Sequence, residues 1–197
     1  SAARGSLIAF CAGPKGVPSR ILAPLWGSAA IYAPLRQATA TAPGQVALED
    51  LFDLYRIDRI GPRTRILGVV GSPIAHSLSP LIHNTALRAL DLDCVYLPFE
   101  ATTMGEFLPL ASELRVNGLS VTLPHKERIL PYLDGLDEVA RGVGAVNTVV
   151  KVWNRLEGLN TDVEAALAPL RRRMRLRDAR VAVMGAGGAA RALVYGL

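Results

Sequence analysis

Short apolar runs rich in β-branched residues alternate with stretches of helical apolar spacing, from residue 6 to the end of the chain. Strand-then-helix alternation commits a chain to an α/β fold, because parallel strands need a crossover and a helix is the usual one. Residues 6–11 and 29–33 read as strands, with a helix starting at Ser19 and closed near Gly27, and a second helix over 47–55. Gly61-Pro62 and the charges around it mark a linker at 61–65. The alternation then resumes, with strands at 66–71, 94–99 and 118–121, helices at 81–90 and 106–114, and a short helix from His125. Residues 146–153 and 156–159 flank Asn154-Arg155 as a hairpin, and a helix follows from Val163. A last strand, 180–184, runs into Gly185-Ala186-Gly187-Gly188-Ala189-Ala190 and the start of another helix. No internal repeat or low-complexity segment interrupts the pattern.

Composition narrows the classes. Half of the 197 residues are hydrophobic and 20% are charged, which suits a folded domain rather than a disordered tail. No apolar run is long enough to cross a bilayer. The opening Ser1-Ala2-Ala3-Arg4-Gly5 has no initiator Met, and residues 7–11 make no secretory signal, so the chain is expected to begin inside a larger protein. Cys11 and Cys94 give no disulfide framework, which points to a reducing, cytoplasmic setting. His76, His83 and His125 lack metal-ligand spacing, and no metal is expected. The net charge of +5 comes from the five arginines of 171–177, leaving 17 basic against 17 acidic residues elsewhere. A nucleic-acid surface spreads its cations over a face and interleaves aromatics. One local run instead suits a solvated helix end, where cations complement the dipole.

The chemistry-bearing residues fall between 71 and 190. In Ser77-Leu78-Ser79-Pro80, Ser79 reads as an N-cap with Pro80 at the first helical position. Two hydroxyls then sit at a helix N-terminus, which favours an anion such as a small carboxylate. Val121-Thr122-Leu123-Pro124-His125-Lys126 places Thr122 and Lys126 at the carboxyl end of a strand, where open α/β sheets bind ligands. A lysine there can act as general acid or base. Asn147, in Gly144-Ala145-Val146-Asn147-Thr148, offers a donor and an acceptor to a hydroxyl. Thr161 and Glu164 have capping-box spacing, with Asp162 between them in the first turn. Finally, Gly185-x-Gly187-x-x-Ala190 between strand and helix matches a dinucleotide turn, with Gly185, Ala186, Gly187, Gly188 and Ala189 as candidate cofactor contacts.

In that order and spacing, residues 66–190 resemble the shikimate dehydrogenase family. The carrying words are the run from Gly71 to Pro80, Val121 to Lys126, Gly144 to Thr148, Gly158-Leu159-Asn160-Thr161-Asp162, and the glycine turn. The Pro-His-Lys form is similar to the plant-type members. The resemblance implies NADP-dependent, reversible reduction of 3-dehydroshikimate to shikimate, a small-molecule substrate, with no nucleic acid or membrane partner. It implies that Ser77, Ser79 and Thr122 hold the substrate carboxylate, that Asn147 and Asp162 bind ring hydroxyls, and that Lys126 and Asp162 form the catalytic pair. The implied fold is a substrate-binding α/β domain over 66–170, followed over 171–197 by the start of a Rossmann NADP domain. The position that separates NAD from NADP falls ~20 residues beyond the glycine turn, past Leu197. The chain by itself is therefore expected not to turn over substrate, and a monomer is compatible with this reading.

Residues 6–55 resemble the end of a type I 3-dehydroquinate dehydratase, a (β/α)8 barrel. Ser19-Arg20 before an apolar helix and Ala40-Thr41-Ala42-Pro43-Gly44-Gln45 carry the likeness. It implies that residues 1–60 are the last two β-α units of that barrel, with Arg20, Thr41 and Gln45 as substrate contacts. Serine is commoner in that family at the place of Thr41. Dehydratase followed by dehydrogenase is the arrangement of the fused enzymes of the shikimate pathway, which also occur in plastids. A non-catalytic shikimate-binding remnant and a quinate dehydrogenase are the alternatives.

Overall fold

The computed structural model describes residues 6–197. Its centre is one mixed six-stranded sheet: β1 (Arg65–Gly71), β2 (Cys94–Glu100), β3 (Val116–Val121), β4 (Gly135–Leu136), β5 (Thr148–Val152) and β6 (Arg155–Leu159), in the order β2-β1-β3-β5-β6-β4. The pairs β1–β2, β1–β3 and β4–β6 are parallel, and β5 is antiparallel to both β3 and β6. Central β1 is buried from Val69 to Gly71, as expected of a parallel strand covered on both faces.

The crossovers are α2 (Ser79–Ala89) between β1 and β2, and α3 (Met104–Glu113) between β2 and β3. Thr103 caps α3 by accepting the Glu106 N–H at 3.4 Å. The chain leaves β1 toward one side of the sheet and leaves β3 toward the other. The loops after these neighbouring strands therefore part and open a crevice at their carboxyl ends. Beyond β3 come α4 (His125–Arg128), α5 (Glu138–Val143), α6 (Asp162–Arg171) and α7 (Gly188–Gly196). The hairpin β5–β6 turns at Trp153-Asn154, where Trp153 takes a positive φ of 56°.

Several boundaries differ from the sequence reading. Residues 6–11 and 29–33 form no strand; one bond, Ala29 N–H to the Leu7 carbonyl at 2.7 Å, joins them. Residues 180–184 likewise join no ladder, and Met184 is 99% exposed. An apolar run becomes a strand only where a neighbour takes its N–H and C=O groups in a repeating ladder, and no ladder forms along these runs among the described residues. The helix at Ser19 is the short α1 (Val17–Ile21), continued as a 3-10 turn at Ala23–Trp26 and closed by Gly27 at φ 74°. The 47–55 helix is wound as a π-helix over Asp50–Leu54. The short β4 and helix α5 were not foreseen. The first five residues of the 1–60 segment lie outside the described residues.

The sequence leaves little slack between segments. Ile21, Leu22, Leu51, Tyr55 and Ile57 share one core with Val95, Leu97 and Phe99 of β2. Polar ties reinforce it: Lys15 Nζ donates to Thr102 Oγ1 at 2.9 Å and Arg88 Nη1 to the Asp53 carbonyl at 3.2 Å. The arginines of 171–177 are all exposed at and beyond the end of α6. No helix among the described residues is long and apolar enough to cross a membrane.

Candidate active site

The polar residues singled out in the sequence fall at the carboxyl ends of β1 and β3 and at the adjoining ends of β5 and β6. After β1, the turn at 72–78 is tied across to the turn after β3, since the Ser72 N–H donates to the Leu123 carbonyl at 3.0 Å. Gly71 is needed at this crossing, because a Cβ there would stand 2.5 Å from Thr122 Cγ2. Ser77 and Ser79 are half-buried at the head of α2. Their division of labour differs from the sequence expectation: Ser79 is the first helical residue, and its hydroxyl caps nothing. Ser77 Oγ instead accepts the Ser79 N–H at 3.3 Å. Both hydroxyls still stand at the positive end of the helix.

Lys126 projects from α4, and Asp162 opens α6. Their pairing is direct: Lys126 Nζ donates to Asp162 Oδ2 at 2.5 Å, with the side chains 20% and 27% exposed. The other carboxylate oxygen, Oδ1, accepts from Asn147 Nδ2 at 2.8 Å. Asn147 is fixed in turn, for its Nδ2 also donates to Thr161 Oγ1 at 2.8 Å. Its Oδ1 accepts from the Thr161 N–H at 3.0 Å and from Thr148 Oγ1 at 2.9 Å. The expected capping box is therefore not formed. Thr161 turns its hydroxyl to Asn147, and Glu164 pairs with Arg171 at 3.1 Å.

Three residues that the sequence reading passed over hold this constellation. Buried Asn160 donates through Nδ2 to the Ala145 carbonyl at 2.8 Å and accepts the Asp162 N–H on Oδ1 at 3.0 Å. His125 is fully buried, and its Nε2 meets the Ala101 carbonyl at 2.8 Å. Glu100 accepts from Ser72 Oγ and the Ile74 N–H at 2.6 and 2.8 Å. Asn160 and His125 sit inside recognised words; Glu100 sits outside them and carried no pattern of its own.

The glycine turn closes the far wall. Thr122, Lys126, Gly185, Gly187, Gly188, Ala189 and Ala190 line one cleft of about 380 Å³. Gly185 takes φ 124°, a conformation that side chains disfavour, and Gly187 has open space where a Cβ would stand. Gly188 packs on the stem of Lys126, since its Cβ would lie 3.0 Å from Cδ. Arg191 Nη2 meets Glu127 Oε2 at 3.2 Å and ties α7 to α4. An open, side-chain-free approach to the N-terminus of a nine-residue helix suits a pyrophosphate.

Of the residues proposed for the other chemistry, two are joined directly. Gln45 Oε1 accepts from the Thr41 N–H, Thr41 Oγ1 and the Ala42 N–H at 2.8, 3.2 and 3.2 Å, so Thr41 and Gln45 meet. Arg20 is buried, its guanidinium 4.3 Å from the centre of the Phe10 ring and its Nη1 3.5 Å from the Tyr32 carbonyl. No hydrogen bond joins it to Thr41 or Gln45 among the described residues.

Known proteins resemble this chain in sequence and fold. Residues 69–149 match the shikimate dehydrogenase substrate binding domain, and residues 1–62 match type I 3-dehydroquinase. The chain is 36% identical, over its whole length, to the chloroplastic bifunctional 3-dehydroquinate dehydratase/shikimate dehydrogenase of Arabidopsis thaliana, covering 35% of that protein. Over 68% of its length it is 46% identical to the shikimate dehydrogenase (NADP(+)) of Thermococcus kodakarensis, covering 50% of it. The crystal structure of shikimate 5-dehydrogenase from Thermus thermophilus in complex with NADP(H) and shikimate superposes with a TM-score of 0.55 at 36% identity, over 67% of this chain and 51% of that one. The chain spans half or less of the curated relatives named here. Residues 69–149 thus carry the substrate binding domain of the shikimate dehydrogenase family, and residues 1–62 a segment of the type I 3-dehydroquinase family.

Proposed function

We propose that this chain supplies the substrate-binding domain, over residues 66–170, of an NADP-dependent shikimate dehydrogenase that reversibly reduces 3-dehydroshikimate to shikimate. Residues 1–60 belong to the dehydratase part of a bifunctional protein, 61–65 link the two, and 171–197 open the NADP-binding domain. A cytoplasmic or plastid setting fits this role. The observation that carries the reading is the Lys126–Asp162 pair, oriented by Asn147, with Lys126 on the wall of the glycine-lined cleft.

In this reading Ser77 and Ser79 hold the substrate carboxylate at the head of α2, with Thr122 beside them. Asp162 and Asn147 take ring hydroxyls, and an incoming hydroxyl replaces Thr161 Oγ1 as the acceptor for Asn147. NADPH, held against Gly185, Ala186, Gly187, Gly188 and Ala189, supplies hydride when bound. Lys126, as the ammonium ion, donates a proton to the carbonyl oxygen as it becomes the alcohol, and in reverse the amine takes that proton back. Asp162 keeps Nζ aimed at this oxygen and balances its charge.

The test is turnover of 3-dehydroshikimate with NADPH in the protein that carries this chain and a complete nucleotide domain. Lys126→Ala and Asp162→Asn are each expected to lower kcat by roughly 100-fold or more, the usual scale of general acid–base catalysis, and to leave the KM for NADPH within about threefold. Near-normal turnover in both variants would overturn the assignment.

A further inference from the structure

The carboxylate of Glu100, at the end of edge strand β2, has a placement that the chemistry above leaves unused. It is half-buried, and no ion pair holds it among the described residues. Both of its oxygens are spent on the turn after β1: Oε1 accepts from Ser72 Oγ at 2.6 Å and Oε2 from the Ile74 N–H at 2.8 Å. The Ile74 carbonyl accepts the Ser77 N–H at 3.0 Å, and Ser77 Oγ accepts the Ser79 N–H at 3.3 Å. An unbroken series of hydrogen bonds thus runs from Glu100 to both serines. The next residue, Ala101, offers its carbonyl to His125 Nε2 at 2.8 Å, immediately before Lys126. The carboxylate-binding turn and the lysine-bearing turn hang from one dipeptide.

We propose that Glu100 is a positioning residue for substrate recognition: it fixes the Ser72–Ser79 turn so that the two serine hydroxyls converge on the substrate carboxylate. The inference rests on the reading of Ser77 and Ser79 as that carboxylate's partners. A carboxylate suits the task because it accepts a hydroxyl and a backbone N–H at once, and charged acceptors make the stronger bonds. Glutamine at this position can keep both contacts, its oxygen accepting from Ile74 and its amide donating to Ser72 Oγ. Alanine keeps neither.

Calorimetric titration of the full chain with shikimate and with its methyl ester, which lacks the anionic group, tests the proposal. Glu100→Ala is expected to weaken shikimate binding roughly tenfold, the scale of losing charge-assisted hydrogen bonds, and to change methyl shikimate binding by less than about threefold. Glu100→Gln is expected to restore the preference for the acid. A loss in Glu100→Ala that is equal for both ligands, or no loss, would overturn the proposal. Should Glu100→Ala fail to fold, Ser72→Ala removes one of the two contacts and is expected to narrow the preference in the same sense; an unchanged preference would count against it. A parent chain that does not favour shikimate over the ester, or a Ser79→Ala variant that still does, would sink the underlying reading instead.

Discussion

Asn147 uses both polar atoms of its amide to hold Asp162 and its neighbours, and Asn160 does the same from across the β5–β6 hairpin. The two divide the work. Asn147 aims the Asp162 carboxylate, and Asn160 fastens the backbone of Asp162 to that of Ala145. Replacing Asn160 by Ala leaves a buried carbonyl and an N–H without partners, which costs about 1–3 kcal/mol. Urea denaturation of Asn160→Ala is expected to show a loss of that size, and a variant as stable as the parent would contradict the role. The residues legible in the sequence were those inside family words: Ser77, Ser79, Thr122, Lys126, Asn147 and Asp162 all fall at one end of the sheet, and Lys126, Asp162 and Asn147 are joined by hydrogen bonds. Asn160 and His125 stood in those words without an assigned role, because a side chain that bonds only to backbone leaves no chemical spacing to read. Glu100 was invisible, since its partners are 26 and 28 positions away.

At the scale of elements, helices and crossover strands followed apolar periodicity closely, and strands without neighbours did not form. Residues 29–33 and 180–184 carry strand composition, but hydrogen bonding is a property of pairs, so composition alone misjudged them. Edge strand β2 shows the opposite solution. Its outer edge at Tyr96 is closed by a side chain, with Asn84 Oδ1 accepting the Tyr96 N–H at 2.9 Å and Asn84 Nδ2 donating to the Tyr96 carbonyl at 2.8 Å. Asn84, 4% exposed on α2, takes the place of a seventh strand over one residue. Asn84→Leu keeps the number of side-chain heavy atoms and abandons both backbone groups. The variant is expected to lose on the order of 3 kcal/mol, with faster hydrogen exchange at the Tyr96 amide. Unchanged exchange there would show that α2 does not guard the edge.

Across the whole molecule, the segment before β1 shares the core of the sheet, and this continuity has a pH signature. Tyr55 is 8% exposed, and burial first, then the charge of Asp50, raises its phenol well above the ordinary value. Burial raises Tyr96 as well, against the opposing hydrogen bonds of Ser120 and Ser79. A group whose folded value is raised contributes stability that is intact below its unfolded value, about 10 for tyrosine, and that disappears as pH climbs through the folded value. Unfolding free energy should therefore hold steady through neutral pH and fall above about pH 10. Tyr55→Phe should flatten that fall; an equally steep fall would place its origin elsewhere.

The shikimate site proposed at the ends of β1 and β3 is built around Lys126 and Asp162. Calorimetric titration of shikimate into the folded chain tests it most directly, with Asp162→Asn and Ser79→Ala as comparisons. Saturable binding at one site, weakened about tenfold or more in each folded variant as charged hydrogen bonds are lost, is the result predicted here. Absence of binding to the parent chain, or binding that neither substitution disturbs, would contradict it.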